Sequence, residues 1–580
     1  MKWIIGGLHF WRNNMNLEEI QNKLKLSDID AYIVSYGNKF IGQDVLLTEH
    51  KIFSLCGFDG SAGAMMVTKN EVYLFVDGRY ELQAKRQVNP NIITVINKVP
   101  RIKNICDEAL KYNIKKIGYD AWNYAVSEMD FIKRKYKEIN FVDVGDWVNV
   151  STNKNIDVLI RDVKYSGMTR EEKCKIVANM LWEQQADYFL FTSADSVSWL
   201  LNLYAKDLEF SPVVRAYALV SLKGEAILFG NLNVDGIECK SFDSLNETLN
   251  KLIGCRVLYD AHFTPEKIKL LIDDDIIFEK SPDIVQIMKA EKNETELQGM
   301  INCHIRDGVA LVKFLCWLDD NFKGKNELDI VKMLHEYRQQ QELFFSESFG
   351  TIAGAGGNGA IVHYHPTENN FGLLQEDNLL LIDSGAQYLD GTTDVTRTVV
   401  IGEPNKEMIN DFTCVLKAHI SLAKSRFPVN ISGSILDVLA RVNIWNNCLN
   451  YNHGTGHGVA CFGNVHEGPI SISPNASQYG LKPNMVLSIE PGIYKEDKYG
   501  IRIENLVYTS KVDSGNNDNE FLEFKYLTKV PIDKKLIDKY LLNMDELAWL
   551  NEYHKNVYET LAPLLNKTEQ CWLEKACSPL

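Results

Sequence analysis

The sequence contains no long apolar run, no paired-cysteine motif and no excess of basic residues. No stretch of about 18 uncharged apolar residues occurs in the chain, so no transmembrane helix is expected. The 12 cysteines are scattered from Cys56 to Cys577 without a CxxC pair, which disfavours a zinc ribbon or a disulfide framework and fits reduced thiols. A formal net charge of −15 offers no general attraction for nucleic acid or anionic membranes.

The first residues also lack the features of a secretory signal. The apolar stretch that ends at Leu8 is shorter than a signal-peptide core, and Trp11 and Arg12 follow it. We therefore expect a cytoplasmic protein. Met15 is a second candidate for the start of translation.

The amino-acid composition is typical of a soluble globular protein, with 45% hydrophobic and 24% charged residues. A length of 580 residues predicts about three domains. Helical spacing over 17–26 leads into a short strand at 31–34, and a similar unit returns at 170–185 and 188–191. Each copy is followed by a predicted hairpin, over 64–75 and 216–229. The pattern indicates an internal repeat of two α/β domains.

Polar or proline-containing stretches at 149–157 and 281–282 mark the predicted seams. A charged amphipathic helix is predicted from Lys289 onward and opens a third domain. The expected division is 1–150, 151–288, 289–520 and a C-terminal extension over 521–580.

This third domain concentrates the chemistry, because seven of the 12 histidines lie between His335 and His466. A buried strand is predicted to end at Asp383, and Asp394 follows 11 residues later, so the two carboxylates can meet across a hairpin that turns near Asp390. Either aspartate alone is more often a turn former or a strand-end cap.

Histidines set among glycines follow in HGTGHG, where His453 and His457 lie in a segment that a ligand can approach closely. His466 comes nine residues later, and Glu490 follows a β-rich run. Alternation over 500–505 predicts a strand that places Arg502 and Glu504 on one face. An ordinary ion pair between these two side chains is the alternative to a role in the site.

Together these residues supply four carboxylates and an imidazole, the inventory that two adjacent divalent cations require. The set is Asp383, Asp394, His457, Glu490 and Glu504. Because thiolates are absent from it, harder cations such as Mn²⁺ are favoured over structural zinc.

The segments DSGAQYLDGTTDVTRT, HGTGHGVACFGNVHEGP, EPGIY and GIRIEN closely resemble the Xaa-Pro aminopeptidase (aminopeptidase P) family of M24 metallopeptidases. SESFGTIAGAGGNGAIVHYHP and FVDGRYELQA extend the resemblance to the long, three-domain form. It implies an α/β fold with two creatinase-like N-terminal domains and a pita-bread catalytic domain. It also implies hydrolysis of the bond between an N-terminal residue and a penultimate proline, by attack of a hydroxide that bridges two metal ions.

The resemblance assigns roles residue by residue. Asp383 matches a ligand of one metal, Asp394 and Glu504 match bridging ligands, and His457 and Glu490 match ligands of the other metal. Glu490 is also the expected proton shuttle. His363 and His466 match histidines that contact the substrate and stabilise the tetrahedral intermediate, and His453 matches a further active-site histidine.

The bond before proline is a tertiary amide without N–H, so the site must not depend on that donor and needs an apolar slot. The residues that resemble the family's proline pocket are Val465, Tyr494 and Arg502. Arg79 of the first domain is a further candidate. The sequence departs from the family pattern at Ala460 and Gly463, and His365 has no assigned role.

Other interpretations remain open at this stage. Residues 354–359 satisfy GxGxxG, but a strand predicted over 360–364 argues against dinucleotide binding. A prolidase restricted to dipeptides would use the same ligands, and a non-catalytic pita-bread binding protein would usually lose some of them. We expect peptide substrates with proline second, no nucleic acid or membrane partner, and a homodimer, for which the aromatic-rich tail is a candidate surface.

Overall fold

The computed structural model describes residues 17–42, 45–46, 49–60, 62–78, 80–97, 102–150, 156–475, 477, 479–513 and 520–580. The candidate start at Met15, the candidate pocket residue Arg79 and most of the predicted seam at 149–157 lie outside these ranges. The chain divides into two compact units. One contains 1–160, 168–208 and 213–284, and the other contains 161–167, 209–212 and 285–580.

The N-terminal unit begins with an α/β domain built on a mixed sheet. Its described strands lie in the order β4-β3-β2-β1-β5-β6. The elements are α1 (Leu17–Leu26), β1 (Ala31–Ser35), α2 (Lys51–Cys56), β2 (Ala64–Thr68), β3 (Val72–Asp77), α3 (Glu81–Gln87), β4 (Ile93–Asn97), α4 (Ile102–Lys111), β5 (Lys116–Tyr119), α5 (Val126–Lys135) and β6 (Asn140–Asp143). β1 is central and buried on both faces, as its apolar run predicts.

A second α/β domain, most of which lies in the same unit, has the same topology. Its elements are β7 (Val158–Ile160), α6 (Val163–Ser166), α7 (Arg170–Glu183), β8 (Tyr188–Phe191), α8 (Ala194–Leu201), β9 (Leu203–Ala205), β10 (Tyr217–Ser221), β11 (Ala226–Phe229), β12 (Glu238–Lys240), α9 (Leu245–Asn250), β13 (Arg256–Tyr259), α10 (Glu266–Leu271) and β14 (Ile277–Lys280). α6 belongs to the other unit. The sheet order is β12-β11-β10-β8-β13-β14.

The two sheets correspond strand for strand. In each, the central strand pairs antiparallel with one neighbour and parallel with the other, as β1 does with β2 and β5, and β8 with β10 and β13. The predicted hairpins are β2–β3 and β10–β11. The expected internal repeat is therefore confirmed.

The C-terminal unit, which the family resemblance predicts to be the catalytic unit, contains several sheets and long helices. Its elements are α11 (Ile284–Ala290), α12 (Glu294–Asn321), α13 (Glu327–Gln339), β15 (Phe344–Glu347), β16 (Ile352–Ala355), β17 (Asn378–Ser384), β18 (Ala386–Tyr388), β19 (Gly391–Thr392), β20 (Val395–Ile401), α14 (Lys406–Ala423), β21 (Arg426–Pro428), α15 (Gly433–Trp445), β22 (Gly456–Gly458), β23 (Glu467–Ile472), β24 (Val486–Ile489), β25 (Gly492–Lys495), β26 (Tyr499–Arg502), β27 (Asn505–Lys511), β28 (Phe521–Tyr526), α16 (Met544–Leu561) and α17 (Lys567–Cys577). The described sheets include β16-β17-β20 and β21-β28-β27-β24-β22-β23.

Three sequence-based predictions in this unit need correction. The long helix begins at Glu294 rather than at Lys289, because Asn293 forms a capping box with Glu296 and separates α12 from α11. Residues 500–505 are not one strand, since β26 ends at Arg502 and β27 begins at Asn505 in another sheet. Residues 360–364 do not form a strand, because a 3₁₀ helix over Gly356–Ala360 leads into turns.

The C-terminal extension packs on its own unit. Tyr553 belongs to the main core of the catalytic unit, and Trp549 stacks on it with ring centroids 5.4 Å apart. Trp549 Nε1 donates to the hydroxyl of Tyr526 at 2.8 Å. Tyr558 and Trp572 pack against the same core. The tail aromatics therefore serve intramolecular packing. Among the described residues, no helix is both long and apolar enough to cross a membrane.

Candidate metal centre and active site

Two aspartates of the candidate site lie at the end of a β-hairpin. Asp383 is in β17, where it pairs with Thr396 of β20, and Asp394 immediately precedes β20. β18 and β19 form the predicted turn around Asp390. Asp383 and Asp394 are buried, with 9% and 4% of their surface exposed, which argues against a role as solvated turn formers.

Glu504 lies in the two-residue connection between β26 and β27 and is 1% exposed. The hydroxyl of Thr396 donates to Glu504 Oε2 at 2.7 Å, and the amide of Glu504 donates to the Thr396 carbonyl at 3.2 Å. The β-hairpin thus holds the glutamate beside the aspartates. Sequence reasoning missed Thr396, although it lies two residues after Asp394 and so on the same strand face.

Arg502 connects the carboxylates with Tyr494. Its Nη2 donates to Asp383 Oδ2 at 2.6 Å, its Nε to Thr396 Oγ1 at 3.1 Å and its Nη1 to the Tyr494 hydroxyl at 2.7 Å. The second oxygen of Asp383, Oδ1, is buried and has no hydrogen-bond partner among the described residues. A buried carboxylate oxygen without a partner is costly unless a cation binds it.

The glycine-rich segment brings His457 to these carboxylates. His457 is the middle residue of β22, and the flanking glycines permit close contact between strands: a Cβ on Gly456 would lie 1.9 Å from the Ser488 carbonyl oxygen, and one on Gly458 would lie 2.3 Å from that of Glu467. His457 Nδ1 is 3.0 Å from the Gly458 carbonyl, which fixes that nitrogen as the donor. Its Nε2 faces Asp394 Oδ2 at 3.4 Å and Glu490 Oε1 at 3.5 Å, so it donates to these carboxylates in the metal-free protein and would present its lone pair to a bound metal ion.

These residues fit a pair of divalent cations. Asp394, His457 and Glu504 offer ligand atoms that all lie within 4.8 Å of one another. Glu490 adjoins His457, and Asp383 contributes the buried oxygen without a partner. Four carboxylates and one imidazole form an oxygen-rich donor set with bridging capacity, which suits a dinuclear centre.

The electrostatics of the cluster show an excess of negative charge. Burial raises the pKa of Glu490, Glu504 and Asp383, and the other carboxylates of the cluster raise each pKa further against the opposing effect of Arg502. Burial opposes the charged form of His457, yet its hydrogen bond with Asp394 and the field of Glu490 raise its pKa to about 9. Without cations, the cluster must therefore retain protons that metal binding would displace.

The other candidate histidines lie around this cluster at different depths. His453 Nε2 is 2.8 Å from the Tyr494 hydroxyl, and its Nδ1 is 3.9 Å from Glu490 Oε2. His466 is exposed, and its ring meets that of His457 edge-on with centroids 4.3 Å apart. Val465, next to it, is half-buried.

His363 is half-buried on the turns that follow the 3₁₀ helix. That helix packs closely on β26, because a Cβ on Gly500 would lie 1.7 Å from the Gly359 carbonyl oxygen. The segment of His363 is thus anchored to the strand that carries Arg502. His365 lies beside Gly350, where a Cβ would be 3.3 Å from its ring.

The GxGxxG segment at 354–359 supports this anchoring rather than a dinucleotide. Strand β16 is followed by the 3₁₀ helix, whereas the dinucleotide motif requires an α-helix whose N-terminus faces the phosphates. Buried Glu327 accepts hydrogen bonds from the Ala355 amide at 2.7 Å and from the Tyr364 hydroxyl at 2.8 Å.

The departures from the family pattern are compatible with each other. A Cβ on Gly463 would lie 2.8 Å from the Cβ of Ala460, so the small residue at 463 makes room for the methyl group at 460. The Ala460 amide donates to the Asn464 carbonyl at 3.2 Å, and Gln387 Nε2 donates to the Gly463 carbonyl at 2.6 Å. The loop before His466 is therefore closed and well packed.

Two further groups of supporting residues escaped sequence reasoning. Buried Lys289 and Lys292 both pair with Glu467, the residue after His466, with the first contact at 3.1 Å. Buried Asp437 and Arg441 contact the loop that carries His453. Neither the HEGP motif nor the helical periodicity of the sequence indicates contacts between positions so far apart along the chain.

With this geometry in place, comparison with known proteins is decisive. A family model described as "Metallopeptidase family M24" matches residues 298–511, and a second model, for the C-terminal region of this peptidase family, matches residues 520–580. A probable Xaa-Pro aminopeptidase P of Laccaria bicolor is 35% identical over 99% of this chain and 94% of its own. The chain belongs to metallopeptidase family M24.

Its N-terminal domains match as well. The creatinase/prolidase N-terminal domain matches twice, at 16–150 and at 151–296. Xaa-Pro aminopeptidase 1 of Dictyostelium discoideum is 33% identical over 97% of this M24 chain and 96% of its own. The expected fold class, two creatinase-like domains followed by a pita-bread catalytic domain, is confirmed.

A solved structure agrees over nearly the whole chain. The X-prolyl aminopeptidase of Caenorhabditis elegans, described as a cytosolic enzyme with a di-nuclear active site, superposes with a TM-score of 0.90, 32% identity and coverage of 96% of both chains. The prolidase of Pyrococcus horikoshii covers 62% of this chain with a TM-score of 0.50 and 24% identity, which shows a shared fold alone. A hydrolase with two divalent metal ions is the consistent interpretation.

Proposed function

We propose that this protein is an aminopeptidase that uses two metal ions to hydrolyse the bond between an N-terminal residue and a penultimate proline. The observation that carries the proposal is the convergence of Asp383, Asp394, His457, Glu490 and Glu504 in a chain that matches named Xaa-Pro aminopeptidases over almost its full length. The division into 1–150, 151–288, 289–520 and 521–580 belongs to the same proposal.

The five residues would hold the two cations, with Asp394 and Glu504 in the bridging roles. When bound, the cations would polarise the peptide carbonyl and lower the pKa of a water molecule enough to supply a nucleophile near neutral pH. The oxygen-rich donor set supports Mn²⁺ as the metal.

The surrounding side chains would orient the substrate and move protons. Glu490 would take a proton from the nucleophilic water and pass it to the leaving nitrogen, since its carboxylate lies between His457 and His453. His363 and His466 would donate hydrogen bonds to the substrate as negative charge develops on the scissile carbonyl. His453 would hold the Tyr494 hydroxyl in place through their 2.8 Å contact.

Selectivity for proline would come from a slot formed by Val465, Tyr494 and Arg502. Arg502 is 1% exposed and has its guanidinium bonded to Tyr494, so the two residues can form a fixed wall for the pyrrolidine ring. A fixed wall of this kind discriminates by shape and does not require the N–H that proline lacks.

We also propose a cytoplasmic homodimer. The tail aromatics are used internally, but α15 exposes an uncharged apolar stripe formed by Ile435, Val438, Leu439, Val442 and Trp445. A chain with a net charge of −15 can pair with its own copy most readily through such a surface, across a twofold axis. A monomeric mass in solution, or an unchanged dimer in Trp445→Glu, would contradict this surface.

The test is hydrolysis of Arg-Pro-Pro beside Arg-Pro and Arg-Ala-Ala, with metal-loaded wild type and Glu490→Ala. We expect the wild type to release arginine from Arg-Pro-Pro but not from Arg-Ala-Ala. The Glu490→Ala variant should release none from either tripeptide. Cleavage restricted to Arg-Pro would instead indicate a prolidase. Absence of cleavage by folded, metal-loaded protein would favour a binding role.

A further inference from the structure

We propose that Asp437 and Arg441 of α15 are positioning residues for the proposed peptidase site. The two side chains are four residues apart on one helix, 2% and 3% exposed, and Arg441 Nε donates to Asp437 Oδ2 at 2.6 Å. They are the only charged residues of α15, and both lie on its buried face. This inference rests on the proposed function.

The pair uses its remaining hydrogen-bonding groups on the loop that precedes His457. Arg441 donates to the carbonyl of Tyr451 at 2.8 Å and to that of His453 at 2.7 Å. Asp437 Oδ1 accepts from the Thr455 hydroxyl at 2.6 Å. The guanidinium also lies over the Tyr451 ring, 4.0 Å from its centroid. One ion pair thus fixes three residues of a five-residue loop.

Two connections lead from this loop to the proposed site. The Thr455 carbonyl accepts from the Glu490 amide at 2.8 Å, which ties the backbone of the proposed proton carrier to the residue that Asp437 holds. His453, whose carbonyl Arg441 holds, contacts the Tyr494 hydroxyl through Nε2 at 2.8 Å. Loss of the pair should therefore displace Glu490 and His453 together.

A purely structural role would be a costly use of these residues. A buried ion pair is often no more stabilising than apolar residues of similar volume, because both charges lose their hydration. The outer face of α15 is apolar and exposed, so the charges do not serve the solubility of the helix. What the pair supplies, and an apolar pair cannot, is the set of directional hydrogen bonds to 451–455.

The deciding comparison is between Arg441→Met, the apolar pair Asp437→Leu/Arg441→Met, and Arg426→Met as a matched loss of an exposed arginine. In Arg-Pro-Pro hydrolysis we expect kcat to fall about 10–100-fold in both α15 variants, the usual effect of losing a residue that orients a metal ligand, with metal content retained. Arg426→Met should match the wild type. A folded apolar pair with wild-type kcat would overturn the proposal.

A second readout does not require activity. Amide hydrogen exchange in metal-stripped protein should become faster at 453–457 and at Glu490 in Thr455→Val, which removes the hydroxyl that Asp437 holds and that also contacts the Tyr451 hydroxyl. Tyr451→Phe, which removes only the latter contact, should leave exchange unchanged. Unchanged exchange at these amides in Thr455→Val would overturn the positioning role. If wild type fails to cleave any peptide while exchange responds as expected, the proposed function fails and the positioning role stands.

Discussion

The carboxylates of the candidate metal centre differ from those of the N-terminal unit in how their charge is compensated. In the N-terminal unit, carboxylates beside buried cations are paired directly: Lys51 lies 3.3 Å from buried Asp120 and 3.1 Å from Asp146 at the surface, and Arg215 pairs with half-buried Glu49 and Asp207 at 2.7 Å each. In the catalytic unit, Asp394, Glu490 and Glu504 form no ion pair with a lysine or arginine among the described residues. Only Asp383 has one, with Arg502.

This difference indicates that the candidate metal centre depends on cations that the protein itself does not supply. A fold that neutralises buried acids with its own lysines and arginines has no need of an external cation. Where three buried acids and the half-buried Glu490 meet one arginine and one histidine, the remaining positive charge must come from protons or bound metal. The catalytic unit also pairs buried acids outside this cluster, as Glu467 with Lys289 and Asp437 with Arg441, so the excess of negative charge is specific to the candidate metal centre.

The largest effect should come from breaking the uncompensated cluster. Asp394→Asn removes a proposed bridging ligand without changing shape, and losing metal stabilisation worth several kcal/mol should lower kcat/KM by about 10³-fold. Metal content, measured by elemental analysis, should fall in parallel. The matched variant Asp146→Asn in the N-terminal unit should keep both. Full activity in Asp394→Asn would contradict its proposed role.

The next effect tests the compensated unit. Lys51→Met leaves buried Asp120 without its cation, and breaking a buried pair in this way should cost about 3–5 kcal/mol of unfolding free energy. Denaturant unfolding measures the loss. Activity and metal content per folded molecule should remain those of wild type, and a variant as stable as wild type would show that the pair contributes nothing.

A smaller effect should appear as pH dependence. Because the pKa values of Asp383, Glu490 and Glu504 are raised on folding, the metal-free native state binds more protons than the unfolded chain above about pH 4. Its stability should therefore fall as pH rises through the raised pKa values. Metal-loaded protein should lack this fall, so the gain in Tm on adding Mn²⁺ should grow from pH 5 to 8. A gain that is constant with pH would contradict the excess-charge interpretation.

The smallest effect is expected at an exposed pair. Lys85 and Glu81 are 2.9 Å apart with side chains 62% and 42% exposed, so Lys85→Ala should change the unfolding free energy by no more than about 0.5 kcal/mol. Thermal unfolding provides the comparison with Lys51→Met. A loss similar to that of Lys51→Met would show that burial does not determine the effect.

Sequence patterns predicted the features that local chemistry determines. The repeat, the hairpins and the strand before Asp383 follow from apolar periodicity, and the HGTGHG glycines indicated a close approach that the packing of Gly456 on Ser488 explains. The break between β26 and β27 was missed, because alternation alone cannot show that neighbouring residues join different sheets. Long-range contacts such as Arg441 with His453 leave no spacing signal at all.

Similarly, the ligand set was predictable only as an inventory of residue types together with a family resemblance. What brings its members together is the tertiary arrangement of β17, β20, β22 and the end of β26 around Thr396 and Arg502. The roles assigned to the individual residues remain predictions for mutagenesis.

The most direct test of the missing-cation interpretation is a metal titration of chelated wild-type protein, followed by arginine release from Arg-Pro-Pro. The account predicts negligible activity without metal, recovery that approaches its maximum at two equivalents of Mn²⁺, and no recovery in Asp394→Asn. Full activity of the metal-free protein would contradict it. Activity that reaches its maximum at one equivalent of Mn²⁺, with only one ion bound per chain, would contradict it as well.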